Sequence, residues 1–400
     1  MSSAPVDMRD PAIRDDPHPL LRKLRESGRV SRDVLGIWLL THHADASSGL
    51  RHAPLSREPW RLPMQAQLRP FIAESALERA AEQWMLFNDP PKHTRLRRLV
   101  NGAFRPPVMV ALRERIAAVA DQLLQALPQH GEFELMGKFA QQLPARVICD
   151  VPGLPPDDFA QTKLWSDALA MIVEAVTKRE WRAAAGRAAE EMLAYLRSHV
   201  ALQRASGRRD SLLGLLIAAQ DDDAALSEDE LLGNLVLLFV AGHETTTNLI
   251  GNGTLTPLRH PSELQRLRDH PELAASAVEE SLRYEGSANM VARHTTAPHR
   301  VGAVVIPPQE TLYFMLGAAN RDAAVFVDAE RFNITRSPNP HLAFGAGIHY
   351  CVGAPLARLE AEIAFTQLLV RYPTLELVDE SPRWRRLINL RGLETLHLRT

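Results

Sequence analysis

Apolar positions recur at helical spacing over most of residues 74 to 285, in stretches such as AAAGRAAEEMLAYLRSHVALQRA at 183–205 that read as amphipathic helix. Strand-like runs cluster toward the two ends: GIWLLT at 36–41, RVGAVVIP at 300–307, TLYFML at 311–316 and LELVDE at 375–380. One helix start is sharply marked. Ser227-Glu228-Asp229-Glu230 is a capping box, with Ser at the N-cap and Glu three residues on. The run that follows continues to roughly Arg259, a rod of about 45 Å at 1.5 Å per residue. The pattern predicts a mainly α protein with small, mostly antiparallel β-sheets.

Composition narrows the class. Of 400 residues, 46% are hydrophobic and 24% charged, an ordinary globular balance, and a net charge of −2 gives no support to a general nucleic-acid binder. The most apolar run, Leu231 to Gly242, is interrupted by Asn234 and followed by His243 and Glu244. It falls short of the ~20 residues a membrane span needs. The polar, proline-rich N-terminus lacks the apolar core of a signal peptide. Cys149 and Cys351 form no CxxC pair and no disulfide framework. No membrane anchor and a cytoplasmic location are therefore expected. About 150 residues per domain would suggest two or three domains. No repeat, low-complexity tract or long linker divides the chain, however.

The strongest chemical signal is Phe344-Gly345-Ala346-Gly347-Ile348-His349-Tyr350-Cys351-Val352-Gly353. Its glycines let a loop turn tightly and bring backbone N–H groups near one sulfur. Ala354-Pro355-Leu356-Ala357-Arg358 then opens a helix with Pro in its first turn. A cysteine before a helix N-terminus sees the positive end of the dipole, which favours thiolate. Such a thiolate suits an axial iron ligand. The alternatives are a buried small hydrophobe, a zinc ligand (no second Cys stands near) and a nucleophile with a His partner.

A second unusual segment lies mid-way along the long capped helix: Ala241-Gly242-His243-Glu244-Thr245-Thr246. Gly costs about 1 kcal/mol against Ala inside a helix. A carboxylate within an apolar run must be satisfied, and Thr can bond its own i−4 carbonyl and bend the helix. Together these loosen one turn.

With both segments in view, the sequence resembles the cytochrome P450 family, in its soluble bacterial form. The resemblance runs in order from about Asp16 to Arg399. It implies a single P450 domain over residues 1–400, with 1–15 a flexible N-terminal segment, and haem b between the long helix and the cysteine loop. Cys351 would be the axial iron ligand, with Phe344, Gly345, Gly353 and Ala241 at the cofactor. The A-G-x-[DE]-T-T match implies that Thr245 hydrogen-bonds dioxygen and that Glu244 belongs to a proton relay. Family members that use peroxide directly tend to lack this acid–alcohol pair, so its presence implies reductive activation of oxygen.

Asp89 to Arg98 resembles the family's propionate-binding helix, with His93 and Arg97 four apart on one face. Arg293 and His349 fall at the other propionate positions. Lys92, Arg95 and Arg98 read as a solvated face able to dock an acidic electron donor. Glu280-Ser281-Leu282-Arg283 matches the family's ExxR, although Glu26/Arg29, Glu58/Arg61 and Glu263/Arg266 share its spacing. Order along the chain selects Glu280/Arg283, with Arg331 in the third, structural place. Ser287 and Ala323 stand where Pro is usual, and Lys92 where Glu is usual; Ser287 is expected to loosen the strand it begins.

By resemblance the substrate pocket is lined by residues 60–88, by Val236, Val240 and Ala241, by Asn289, Met290 and Val291, and by Ile388 and Asn389. Residues 155–205 form its lid. Mostly apolar walls suit a small lipophilic substrate. The activity implied is insertion of one oxygen atom by hydroxylation or epoxidation. Electrons would come from NAD(P)H through a separate ferredoxin or flavodoxin and its reductase, since no flavin-binding GxGxxG unit is evident. The competing functions are a P450 catalysing a non-insertion oxidation such as coupling, isomerisation or desaturation, a non-catalytic haem-binding or sensor protein, and a cysteine hydrolase.

Overall fold

The capping box forms as the sequence predicts: Glu230 N–H donates to Ser227 Oγ and Ser227 N–H to the Glu230 carboxylate, both at 3.1 Å. In the computed structural model, which describes residues 6–8, 10, 13, 15–52, 54–62, 76–170, 179–207, 211, 213–214, 216–217, 226–385 and 387–400, this cap starts a 31-residue helix, Glu228–Leu258. The expectations for part of residues 1–15, for part of 60–88 and for part of the 155–205 lid fall on residues outside these. In chain order the longer helices are α1 His18–Ser27, α2 His43–His52, α3 Ala76–Gln83, α4 Lys92–Val100, α5 Pro106–Gln125, α6 Gln142–Asp150, α7 Phe159–Ala170, α8 Arg179–Ser206, α9 Glu228–Leu258, α10 Pro261–Asp269, α11 Ala274–Glu285 and α12 Ala354–Arg371. The strands are β1 Val30–Arg32, β2 Trp38–Leu40, β3 Leu55–Ser56, β4 Glu132–Glu134, β5 Met290–Thr295, β6 His299–Val301, β7 Val304–Ile306, β8 Thr311–Met315, β9 Glu376–Leu377 and β10 His397–Arg399. Among the described residues no helix is long and apolar enough to cross a membrane.

The chain divides into two compact units. The first comprises Met1–Ser56, Ile116–Leu143 and Thr245–Thr400, and the second Arg57–Arg115 and Pro144–Glu244. Among the described residues the first holds the three sheets, ordered β1-β2-β8-β5-β3, β4-β10-β9 and β6-β7. Most pairings are antiparallel as expected, but β2 runs parallel to β8, with Trp38 opposite Leu312. The β2 sequence is apolar without alternation because both faces of this sheet are covered. Leu40, Leu312 and Phe314 enter one core cluster, while Leu39, Met290 and Met315 enter another with Leu21 and Leu24 of α1. Full burial of a side chain such as Phe314 contributes about 1.5–3 kcal/mol. The run RVGAVVIP is two strands, with β6 turning at Gly302 into β7.

The second unit is helical. Helices α7 and α8 pack through the Trp165 and Tyr195 rings, centroids 5.4 Å apart, and Trp165 Nε1 donates to Glu191 at 2.7 Å. Asn234, the polar break in the apolar run of α9, is a connector. Its amide donates to Gln83 O at 2.8 Å, and its Oδ1 accepts from Met85 N–H at 2.9 Å.

Candidate functional site

The cysteine loop is fixed by backbone bonds and by one glycine that nothing else can replace. Gly345 N–H donates to Leu342 O at 2.8 Å, Tyr350 N–H to Gly347 O at 3.0 Å, and Cys351 N–H to Phe344 O at 3.0 Å. Gly347 has φ +73°, and a Cβ there would lie 2.1 Å from the carbonyl oxygen of Leu50 in α2. Only a hydrogen fits between the loop and that helix. Gly353 is the N-cap of α12, with Pro355 in the first turn. Cys351 is exposed, whereas Cys149 is buried and its thiol is pushed up to about 11 by burial. A thiol held at a helix N-terminus by a rigid glycine loop, rather than packed as a small hydrophobe, is a donor presented to something.

Behind the loop sits a charged support. Arg358 of α12 donates to both oxygens of Glu279 in α11, at 2.6 and 3.0 Å, and to Tyr350 Oη at 3.1 Å. Its guanidinium lies 4.5 Å from the centre of the Phe344 ring, and His341 reaches Glu279 at 3.1 Å. Burial raises the Glu279 carboxyl, but the bonds from His341 and Arg358 outweigh it and hold it down at about 2.

Glu280 and Arg283 of the ExxR segment are fully buried and joined by two bonds of 2.8 Å. Arg283 also donates to the carbonyls of Asn320, Ala329 and Arg331. The third member differs from expectation. Arg331 contributes its carbonyl while its side chain is exposed, and the guanidinium that reaches Glu280, at 3.1 and 3.2 Å, belongs to Arg336. The segment RFNITR ends five residues further on with a second arginine, and Arg336 Nη2 bonds the Arg331 carbonyl, so the turn folds its later arginine inward.

In α9, Glu244 is buried and Thr245 half-buried, while Ala241 is exposed. Gly242 is a packing position, since a Cβ there would meet Ile148 of α6 at 2.7 Å. Ser287 does not loosen its strand. Its hydroxyl donates to the Thr245 carbonyl at 2.6 Å, and its own carbonyl accepts Arg391 N–H at 2.7 Å. The serine in place of proline ties the segment after α11 to the oxygen-motif turn. His243, unassigned by the sequence reading, is 2% exposed and bonded to Asp167 and Ser166 of α7. Nothing in the sequence signals these partners, which lie 76 and 77 residues away.

On α4, His93 is buried and Arg97 half-buried, one turn apart. Two cations expected on a solvated face are engaged. Lys92 bonds Glu82 O and Gln83 Oε1, and Arg95 grips both oxygens of Glu230. Arg293 is 6% exposed on β5, and His349 is half-buried in the loop. The expected pocket residues separate by strand alternation. Met290 and Ile388 join the cluster of Leu21, Leu39 and Met315, whereas Val291 packs against the cluster on the other face of the sheet. Met290 is therefore a core residue. Asn289 and Asn389 are half-buried and joined by a 2.9 Å backbone bond, and Val236 and Val240 are buried in α9.

An exposed thiol at a helix N-terminus, within a mainly helical fold carrying small sheets, has the donor chemistry of the haem-thiolate oxidoreductases. The family model for cytochrome P450 matches residues 159–389. Cytochrome P450 107B1 of Saccharopolyspora erythraea is 40% identical over 398 residues, covering 98% of this chain and 96% of its own. Among solved structures, the myxobacterial cytochrome P450 CYP267B1 in complex with myristic acid superposes with a TM-score of 0.90 at 38% identity, covering 98% of each chain. P450BioI in complex with a hexadec-9Z-enoic acid-ligated acyl carrier protein gives 0.90 at 33% identity, covering 97% of this chain and 99% of its own. The chain belongs to the cytochrome P450 family. It is a haem-dependent monooxygenase.

Proposed function

We propose that this enzyme inserts one atom of dioxygen into a small lipophilic substrate bearing an extended apolar chain, by hydroxylation or epoxidation. The observation that carries the chemistry is the exposed Cys351 thiol held by the Gly347 turn at the start of α12. The chain-like substrate rests on the apolar residues around α9, and on the myristic acid and the acyl carrier protein named for two structural neighbours. Residues 1–400 act as one P450 domain.

Cys351 would ligate the iron of haem b beside Phe344, Gly345 and Gly353, with Ala241 at the cofactor. By resemblance, His93, Arg97, Arg293 and His349 would neutralise the propionates. Bound there, haem would supply the oxygen-activating redox chemistry, with the Cys351 sulfur as the electron-rich ligand that tunes it. The protein's part is to position and to move protons. The Thr245 hydroxyl donates a hydrogen bond to dioxygen, and the Glu244 carboxyl holds the proton that is passed on toward it. The apolar side chains exclude bulk water. Electrons come from NAD(P)H through a separate ferredoxin or flavodoxin and its reductase.

The test is the carbon monoxide difference spectrum of the reduced protein. The red-shifted Soret band that names the family is expected from the wild type and lost in Cys351→Ala. A haem spectrum lacking that band in the wild type would remove Cys351 as thiolate ligand. A titration with fatty acids of graded length, read as a spin-state shift, then tests the substrate class; no shift with any of them would overturn it.

A further inference from the structure

His243 occupies the variable place of the oxygen motif, and its surroundings give it more than a packing role. Its Nε2 lies 2.7 Å from Asp167 Oδ1 and its Nδ1 2.9 Å from Ser166 Oγ, both on α7, while the ring itself is 2% exposed. The Ser166 hydroxyl has a single hydrogen and two acceptors in reach, the Phe239 carbonyl at 2.8 Å and His243 Nδ1 at 2.9 Å. If that hydrogen turns to Phe239, the hydroxyl oxygen faces Nδ1 with a lone pair. Nδ1 must then donate, Nε2 donates to Asp167, and the ring is an imidazolium. If the hydrogen turns to Nδ1, the ring carries one proton and is neutral. Rotation of one hydroxyl thus accompanies the gain or loss of one proton by a buried ring.

Among the described residues, two carboxylates stand within reach of that proton. A ring nitrogen of His243, a carboxylate oxygen of Asp167 and one of Glu244 all lie within 4.8 Å of one another. Such a separation is spanned by one water molecule. Asp167 is 37% exposed and open to solvent, while Glu244 is buried. Lys163, one turn back on α7, also binds the Asp167 carboxylate, which disfavours a metal cation among these groups. Burial raises the Asp167 carboxyl, but the His243 and Lys163 bonds outweigh it and hold it ionised as a counter-ion. Among the described residues the charged groups facing the ring are Asp167, backed by Lys163, on α7 and Glu244 on its own helix. Helix α6 meets this turn with the apolar Ile148.

We propose that His243 is the proton store that recharges Glu244, with Asp167 as counter-ion and inlet from solvent and the Ser166 hydroxyl as the rotor that lets the ring change its proton count. The proton leaves the imidazolium for the Glu244 carboxylate, and the neutral ring takes its replacement from solvent water by way of Asp167. His243 acts through Glu244 and is a positioning residue, so the inference rests on the role proposed for Glu244 above.

Two measurements on the full-length holoenzyme test it. The first is the spectrum of the protein carrying ¹⁵N-labelled histidine, with the His243 signals assigned by their loss in His243→Gln. At one pH, Ser166→Ala leaves Nδ1 no donor and is expected to move the ring toward imidazolium, while Asp167→Asn moves it toward the neutral form. A ring unmoved by both variants overturns the proposal. The second is turnover with a reductase system across pH. His243→Gln is expected to lower turnover about tenfold or more and to change the pH profile, with substrate spin-shift binding retained. Asp167→Asn, which preserves shape and removes only the charge, is expected to change the profile in the same direction. Unchanged profiles in both variants overturn it. A Glu244→Gln control separates the two readings: if Glu244→Gln collapses turnover and His243→Gln does not, only the present inference fails. If Glu244→Gln itself leaves turnover intact, the proton role of Glu244 fails first.

Discussion

Replacing Arg283 by lysine keeps the charge and removes the geometry, and the cost can be worked from the structure. All five guanidinium donors are used: two on Glu280, and one each on the carbonyls of Asn320, Ala329 and Arg331. The side chain is fully buried, so no water can stand in for a lost bond. A lysine ammonium has three donors and can serve at most three of the five acceptors. The Glu280 oxygens and the Arg331 carbonyl keep bonds from Asn333, Arg336 and Asn339, so the cost is that of two lost charge-assisted bonds, about 1.5–3 kcal/mol each, and Arg283→Lys is expected to destabilise the protein by about 3–6 kcal/mol. Against a native stability of about 5–15 kcal/mol, that is a large fraction. The internal control is Arg61, which has the same spacing from Glu58 but a side chain 55% exposed. Arg61→Lys should cost less than about 0.5 kcal/mol. Urea unfolding of the full chain, followed by far-ultraviolet circular dichroism, measures both. Similar small costs at the two positions would refute the claim that burial and five-fold donation, rather than ion pairing, make this segment structural.

Gly347→Ala is expected to abolish the carbon monoxide Soret signature by pushing the cysteine loop off the Leu50 carbonyl. Gly345→Ala, with φ +69° but nothing within 4 Å of its Cβ, should cost only about 1–2 kcal/mol and keep the signature. Ser287→Ala removes the bond to the Thr245 carbonyl and should lower stability by about 1 kcal/mol, read as a fall in Tm of about 1–3 °C; Ser287→Thr, which keeps the hydroxyl, should recover most of it. The Glu279 carboxyl lies below its unfolded value, so its contribution is fully present above about pH 4.5 and is lost as pH falls toward about 2. With both Glu279 and Arg358 about one-third exposed, solvent screening trims that contribution to about 1–2 kcal/mol, and acid unfolding of Glu279→Gln should be correspondingly flatter between those pH values.

What the sequence disclosed, and what it hid, follows from the distance over which each signal is written. The cap at Ser227, the length of α9 and the cysteine loop are local: a few residues specify each by side-chain bonds to neighbouring backbone or by a backbone angle only glycine reaches. These appear as read. Short strands were less legible. β3 has two residues, too few to show a period, and β5 carries Arg293 and His294 within it. Its core is contributed instead by Met290 and by partners from distant strands.

The misplacements at the candidate site share one physical cause: a side chain's partner is chosen in three dimensions. Arg331 and Arg336 are chemically identical, and only the turn decides which guanidinium enters the Glu280 cluster. Lys92 and Arg95 looked solvated because their acceptors, Gln83 and Glu230, belong to other helices. Ser287 looked like a weakness because a missing proline removes a constraint. The gain, a hydroxyl within reach of the Thr245 carbonyl, exists only once residues 42 apart meet. His243 is the strongest case. On a helical wheel it is one more position among apolar neighbours, and its protonation state is undefined. Atoms from Phe239, Ser166 and Asp167 surround its two ring nitrogens. A motif fixes which residues carry chemistry; how many protons they carry is set by neighbours that no motif contains, and so His243 rather than Glu244 is where this chain's own chemistry is most exposed to test.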